Sequence, residues 1–407
     1  MSRAVRRTVN TLLPLMLISM LLSGCWERQE LNELAFVLAL GIDKADEGYK
    51  ITMQVVIPSA ISSQSGGGAG SGGVPVASYS FTASTIYEAL RKFNMTVSRS
   101  AYMGHIRVLV IGEPLAREGV GPTLDVLKRS REPRMDFYVM VAKGGTAEEA
   151  LNVLSALDKI PANKLFNALD KSYKISARTV AVTLDRFIED LLYQGTNPVL
   201  TGVEVIGDPD AGGAKANTER TNPKTKLRYE SVAVFKKDKM LGWLSEAEVA
   251  GYNYITNNVK KNTGHVKGNA DSFVVIEALR STTRRKVRII DGKPHIYLDI
   301  EAICNVEEVT GKERLDAERD ILELEKKAEE RIVRRMEQSV EQINERFNVD
   351  IFGFGKSIFE ANPKVWAKLQ EQSGDDYLKS LPVHYKATVI INRIGAIDNS
   401  FVDQIGE

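Results

Sequence analysis

The chain has 407 residues, of which 43% are hydrophobic and 26% charged, values that are ordinary for a globular protein and sufficient for two or three domains. Its 54 Lys and Arg residues almost balance its 53 Asp and Glu residues, so the composition gives no reason to expect nucleic acid as a partner. There are two cysteines, Cys25 and Cys304, and acylation of the first would exclude an intrachain disulfide.

The first 25 residues have the pattern of a bacterial lipoprotein leader. Three arginines precede an apolar stretch of about a dozen residues, whereas crossing a bilayer core takes about 20. The stretch ends in Leu22-Ser23-Gly24-Cys25, which looks like a lipobox. We expect a signal peptide over 1–24, cleavage between Gly24 and Cys25, and a diacylglyceryl or acyl lipid on the Cys25 sulfur, with no other cofactor. The alternative is an ordinary secretory leader that happens to contain a cysteine.

Residues 25–206 are predicted to form an N-terminal α+β region, either as one unit or as two subdomains. Strands are expected at 34–42, 49–57, 77–82, 102–111, 137–141 and 199–206, the first two as a hairpin. Helices are expected over 85–97, 113–130, 147–157, 163–172 and 179–192. Because strands and helices cluster and do not alternate regularly, the pattern favours an α+β fold with mainly antiparallel sheets.

Two stretches rich in small and turn-forming residues interrupt this pattern. Residues 62–73 are rich in Ser and Gly and lack the lysine and the following helix of a phosphate-binding loop, so they predict a flexible exposed loop. Residues 207–228 are rich in Gly, Pro, Asp, Asn and Lys and predict a linker or an exposed loop before the next domain. Residues 396–407 are expected to form a tail.

A C-terminal α+β domain is predicted over 229–395. Its strands are expected at 231–235, 240–244, 273–278, 286–290, 295–306 and 383–391. A helix over 313–347 carries apolar residues at three- and four-residue steps and would be roughly 50 Å long. This helix forms either a coiled-coil arm or a cover for the C-terminal antiparallel sheet. The apolar steps drift from a strict heptad, so we favour the cover.

The sequence contains no recognisable catalytic or metal-binding motif, and no enzyme activity is expected. The four histidines are isolated in sequence: His105, His265, His295 and His384. His105 is interpreted as a structural residue on a core strand, and Cys304 as a small hydrophobic residue buried in a strand. The run Arg284-Arg285-Lys286-Val287-Arg288 predicts one polar strand face, with a patch for anionic lipid or an acidic partner surface as the alternative.

Several short motifs occur together along the chain. They are Leu22-Ser23-Gly24-Cys25-Trp26, Glu30-Leu31-Asn32-Glu33-Leu34, Gly41-Ile42-Asp43, Tyr102-Met103-Gly104-His105 and, at the end of the long helix, Asn348-Val349-Asp350-Ile351-Phe352-Gly353-Phe354-Gly355. With these motifs the chain resembles the Ger(x)C family, the lipoprotein C-subunits of spore germinant receptors. The resemblance covers essentially the whole chain after the leader.

The resemblance implies a non-enzymatic subunit that is lipid-anchored to the outer face of the spore inner membrane and has three α+β domains. It implies action with two integral membrane subunits, one of them transporter-like, in the response to small nutrient germinants. Only the lipidated Cys25 carries over residue by residue, and the Gly-rich insert at 65–73 departs from the family pattern.

The segment Phe352, Gly353, Phe354 and Gly355 is a candidate partner contact, because exposed aromatic residues beside glycines suit docking. Alternatively, its rings pack the end of the long helix.

Two other functions are alternatives to the receptor subunit. A solute-binding lipoprotein that delivers a small ligand to a membrane transporter would need two lobes around a cleft. A secreted enzyme is disfavoured by the scarcity of acid–base and metal-binding groups.

Overall fold

The computed structural model describes residues 30–58, 60, 73–268, 272–310, 315 and 317–393. Gly24 and Cys25, most of the stretch at 62–73 and the tail at 396–407 lie outside these residues. What the sequence predicts for them, including the lipid on Cys25, therefore stays a prediction. Within the described part of the chain, no helix combines the length and the apolar character that crossing a bilayer requires.

Nine strands of the described chain form the first sheet. They are β1 (Leu34–Lys44), β2 (Tyr49–Val56), β3 (Val76–Ala83), β4 (Ser100–Tyr102), β5 (Val108–Gly112), β6 (Tyr138–Lys143), β7 (Val199–Ile206), β8 (Lys226–Lys236) and β9 (Lys239–Leu244). Their order is β3-β2-β1-β5-β6-β7-β8-β9, and β4 pairs with β1 outside this path. The central strands β1, β5, β6 and β7 are parallel, and antiparallel neighbours extend the sheet on both sides.

Helices cover both faces of this sheet. They are α1 (Ile86–Thr96), α2 (Glu113–Glu118), α3 (Gly121–Arg129), α4 (Ala147–Asn152), α5 (Pro161–Ile175), α6 (Leu184–Leu192), α7 (Pro209–Gly213) and α8 (Glu246–Ile255). Leu109 and Ile111 of β5 belong to one apolar core with α1, α2, α3 and α6, whereas Val108 and Val110 pack with α4 and α5. Because both faces are covered, the central strands are apolar almost throughout.

The expected α+β class with more than one unit is confirmed, but the parallel centre of the first sheet was not predicted. A parallel neighbour requires a crossover, and α2 to α6 provide crossovers between β5, β6 and β7. The strand expected at 102–111 is divided into β4 and β5, and His105 lies exposed in the turn between them rather than on a core strand. The helix expected over 113–130 is interrupted at Gly119, whose φ is +142°.

The second sheet is smaller. It contains β10 (Asn262–Lys267), β11 (Phe273–Ile290), β12 (Lys293–Val309) and β13 (Val383–Arg393) in that order. The pairs β10–β11 and β11–β12 are antiparallel, and β12–β13 is parallel. Between β12 and β13 the chain forms α9 (Glu318–Phe347), α10 (Phe354–Ala361) and α11 (Pro363–Ser373).

Helix α9 covers this sheet, which confirms the favoured arrangement over a coiled-coil arm. Its 30 residues span about 45 Å. Its buried apolar face consists of Leu324, Ala328, Ile332, Met336 and Ile343. Glu325 and Glu329 also accept hydrogen bonds from the backbone N–H groups of Ile391 and Val389, at 2.8 and 3.0 Å. The helix therefore satisfies the outer edge of β13 as well as its face.

The predicted boundary at 207–228 lies between β7 and β8, which are antiparallel neighbours in the first sheet. That sheet therefore continues past β7 to Leu244. The stretch is a mostly exposed connection between two of its strands rather than a linker between the sheets. Asn217 holds this connection against the sheet region, because its buried side-chain amide donates to Leu154 O and Thr225 O.

Helix α8 joins the two units. On one side, the Asn253 amide donates to the carbonyl oxygens of Ala177 and Thr179 beside the first sheet. On the other side, Gly251 lies so close to α9 that a Cβ would stand 2.0 Å from the Ser339 hydroxyl. One continuous apolar core runs through both units.

Candidate functional site

A polar cleft of about 450 Å³ opens between the two sheets. Its walls are α6, the end of α8, β11 and the turn that precedes α10. Uncharged polar side chains on these walls are Thr196, Asn197, Thr256, Asn257, Asn258 and Thr283. The candidate segment at 352–355 begins inside this cleft, because Phe352 and Gly353 are among its lining residues.

Asp350 organises the turn between α9 and α10. Its buried carboxylate accepts hydrogen bonds from the N–H groups of Phe352, Gly353 and Gly355, at 2.9, 2.8 and 2.7 Å, and from the Tyr377 hydroxyl. Burial raises the pKa of Asp350 above its ordinary value, and these donors oppose that effect. The turn is therefore held by one carboxylate that bonds to four separate donors.

The rings of the candidate partner contact, Phe352 and Phe354, are buried, with exposures of 3% and 0%, so in this structure they are not exposed for docking. The two rings stack on each other with centroids 5.2 Å apart. Gly353 has a φ of +72°, which favours glycine, and a Cβ on Gly355 would stand 2.5 Å from the Tyr377 oxygen. This arrangement agrees with the alternative interpretation, in which the segment packs the end of the long helix.

Arg285 connects this turn to the second sheet. Its guanidinium donates to Gly353 O, Ser357 Oγ and Ile255 O at 3.1, 3.1 and 3.2 Å, and lies over the Phe354 ring. Burial lowers its pKa from the ordinary value. Arg285 thus donates to backbone carbonyl oxygens of α8 and of the turn at the same time, and it holds these two parts of the cleft wall together.

Other charged groups that line the cleft also have partners within the protein. Arg186 bonds to Asp190 at 2.8 Å, and Lys356 lies 3.4 Å from Glu189. Across the residues that the structure describes, no group of three or more His, Cys, Asp or Glu side chains stands close enough together to hold a metal ion. The cleft can therefore accept a small polar molecule, and its geometry offers neutral hydrogen-bonding groups rather than an acid–base pair.

The structure brings two of the predicted isolated histidines together. His295 of β12 and His384 of β13 have parallel rings, and their Nδ1 and Nε2 atoms are 3.1 Å apart. The Tyr297 ring stacks on His384 at 4.4 Å. His105 instead lies against the Phe36 and Tyr102 rings, and His265 is exposed on β10. Sequence spacing gives no signal for the pair, because 89 residues separate its members.

Cys304 is buried as predicted, with 1% of its surface exposed. Burial raises the pKa of its thiol to about 11. A neutral, inaccessible thiol fits the interpretation of a small hydrophobic residue.

The basic run at 284–288 divides between two faces of β11. Arg284, Lys286 and Arg288 are exposed, and Arg284 pairs with Glu301 at 2.9 Å. Arg285 points the other way into the cleft wall, which the sequence analysis missed. The alternation of the run is the signal that could have separated it, since strand residues two apart share a face.

Comparison with known proteins supports a single family over most of the chain. A family model described as the spore germination protein N-terminal domain matches residues 27–205. A second, described as spore germination B3/GerAC-like, C-terminal, matches residues 230–395. The crystal structure of the GerBC protein aligns with a TM-score of 0.54 at 17% identity, covering 87% of this chain and 96% of that chain, which supports the fold.

Three curated relatives come from Bacillus subtilis (strain 168). The chain is 31% identical to spore germination protein KC, covering 96% of this chain and 97% of that protein. It is 24% identical to spore germination protein YndF, covering 98% and 99%. It is 23% identical to spore germination protein B3, covering 86% and 88%. The chain therefore belongs to the Ger(x)C family of spore germination proteins, as its N- and C-terminal GerAC matches and its similarity to protein KC establish.

Proposed function

We propose that the protein is a membrane-anchored, non-enzymatic subunit of a spore germinant receptor. It is needed for nutrient-triggered spore germination and acts through contacts with integral membrane subunits, one of them transporter-like. The observation that carries this proposal is the 31% identity to spore germination protein KC over nearly the full length of both chains. Similarity of that extent includes both units and not one shared module.

The lipid anchor follows from the leader. Eight residues lie between Cys25 and Leu34, where β1 begins, and the nine residue steps from one to the other span at most about 30 Å when fully extended. An acylated Cys25 would therefore hold the first sheet close to the outer face of the spore inner membrane. Tethering of this kind raises the effective concentration of the folded body beside membrane partners, so weak contacts can suffice.

Charged groups of the polar cleft have partners within the protein: Arg186 pairs with Asp190, and Arg285 donates to Gly353 O.

A second candidate function is favoured by the same cleft. A solute-binding lipoprotein would take a small ligand there and deliver it to a transporter. The second sheet, however, is largely an antiparallel ribbon under one helix and does not repeat the parallel centre of the first. The receptor-subunit proposal therefore remains the better supported of the two.

The test is the substitution Cys25→Ala in a spore-forming host. We expect the variant to lose palmitate labelling, to leave the membrane fraction and to slow nutrient-triggered loss of spore absorbance. Cys304→Ala is the matched control, because it removes the other thiol and leaves the lipobox intact. A transmembrane segment fused in place of the leader should restore germination to the Cys25→Ala protein.

Normal germination in both the Cys25→Ala and the deletion strain would overturn the proposal. Calorimetry that shows tight nutrient binding by the purified protein, together with nutrient uptake lost on deletion, would favour the solute-binding function instead.

A further inference from the structure

A second cavity, of about 300 Å³, lies between α8, α9 and β10. Its apolar floor includes Ile276, Ala278 and Cys304, and small side chains such as Ala250 and Ala328 line its walls. It shares no lining residue with the polar cleft described above. The cavity is therefore a separate place where a small molecule can lie against an apolar surface.

Two arginines of α9 line this cavity, Arg331 and Arg335, and neither has an anionic partner in the part of the chain that the structure describes. They are four residues apart, so they lie on the same face of the helix, and both are half-buried. No described residue accepts a hydrogen bond from either guanidinium or forms an ion pair with it. By contrast, Arg346 near the end of the same helix is paired with Glu248 at 2.6 Å.

This arrangement is costly without a ligand. Desolvation, together with the positive charge of Arg335, lowers the pKa of Arg331. Two like charges at this spacing on a helix destabilise it. Glu246 at the rim does not compensate, because it pairs with Arg178 at 2.9 Å. The uncompensated charge favours an anion inside the cavity.

The neighbouring strand β10 leaves space for the Arg331 side chain. Gly264 of β10 faces the guanidinium, and a Cβ there would stand 2.6 Å from Nη1 of Arg331. Glycine in the middle of a strand weakens the strand, and here the missing side chain avoids a clash with the Arg331 guanidinium. It gives the guanidinium room to lie along the cavity wall.

A neutral donor completes the polar end. The Asn262 amide donates to the oxygen of Tyr254 at 3.3 Å, and both side chains line the cavity. The Tyr254 hydroxyl proton has no acceptor among the described residues, which leaves it available to a bound oxyanion.

We propose that this cavity binds a small carboxylate with a short apolar tail. Arg331 and Arg335 donate to the carboxylate, the Tyr254 hydroxyl adds a neutral donor, and the tail lies on the floor beside Ala278 and Cys304. A phosphate fits less well, because it has no apolar part to lie against Ile276, Ala278 and Cys304. This inference does not depend on the proposed function.

The test is ligand binding by the full-length lipoprotein in detergent, measured by calorimetry and by the shift in melting temperature. The probes are sodium butyrate, sodium acetate and inorganic phosphate at constant ionic strength. We expect butyrate to bind more tightly than acetate, and phosphate more weakly than either. Arg331→Gln and Arg335→Gln should each raise the Kd for butyrate about tenfold or more, because each removes a charge-assisted hydrogen bond.

Arg334→Gln is the matched control, because it removes the same charge from an exposed neighbouring position on α9. It should leave the Kd unchanged. Circular dichroism would establish that each variant is folded, and the order of the three probes on the unaltered protein tests the proposal without any variant. Equal binding of butyrate by the Arg331→Gln and unaltered proteins would overturn it. Binding of phosphate with no binding of carboxylates would overturn it too.

Discussion

The two sheets of this protein are stabilised in different ways. Strand β5 of the first sheet is buried along its whole length, because helices cover both faces. Strand β12 of the second sheet instead alternates, with Ile296, Leu298 and Ile300 buried and the residues between them partly exposed. The first sheet is held by apolar contacts spread over many side chains. The second packs one face against helix α9 within the same apolar core, and buried polar links of Asp350 and Arg285 hold the turn that follows this helix.

The largest expected effect comes from breaking the strongest of those links. Asp350→Ala would leave three backbone N–H groups and the Tyr377 hydroxyl without their acceptor. We expect the free energy of unfolding to fall by about 3–5 kcal/mol. Urea denaturation of the full-length protein measures this change.

The matched control is Asp376→Ala, whose exposed carboxylate bonds to Lys379 and Asn348 near the same turn. It should have a much smaller effect than Asp350→Ala. Equal effects of the two substitutions would show that the turn does not hold the second unit in place.

A smaller effect is expected at the outer edge of the second sheet. Glu325→Ala and Glu329→Ala remove the acceptors for the N–H groups of Ile391 and Val389, at an expected cost of about 1 kcal/mol each. Hydrogen exchange at these two amides should become faster in the corresponding variant. Glu330→Ala, at an exposed position on the same helix, serves as the control. Unchanged exchange would mean that the edge of β13 does not rely on α9.

The effect that is smallest at neutral pH is the pH dependence at Cys304. Burial raises the pKa of this thiol from 9.0 to about 11, so the stability that it contributes is complete below pH 9 and is lost as the pH rises towards 11. The Cys304→Ala protein should lack this loss, which unfolding curves at several pH values would reveal. Rapid alkylation of Cys304 in the folded protein at pH 8 would contradict the prediction.

The parts of the fold that are local in sequence could be predicted. The apolar run of β1, the turn at 46–48 and the alternation in β2 identified the hairpin, and the drift of the apolar steps in α9 identified a sheet cover rather than a coiled coil. The parallel pairing of β5, β6 and β7 could not be predicted, because a strand pattern shows which residues are buried and not which strand lies alongside.

The sites were harder to predict than the strands, for a related reason. Asp350 occurs in a motif that the sequence analysis quoted, yet its role depends on Tyr377, 27 residues later. That Arg331 and Arg335 lack anionic partners among the described residues is invisible in the sequence, where acidic residues surround both. Only the direction of each side chain determines which of those acids it can reach.

The pairing of β7 with β8 has a consequence for exchanging parts between family members. The first family match ends at residue 205 in β7 and the second begins at residue 230 in β8, so the interval between the matches contains the connection between these neighbouring strands. In a chimera joined there, a foreign β8 would have to pair with the native β7 in the correct register, in which Val199 lies opposite the residue at position 234. A chimera joined after Leu244 would keep the first sheet intact and transplant only the helix-covered ribbon. Swaps made at that later point are the ones that should yield folded hybrids.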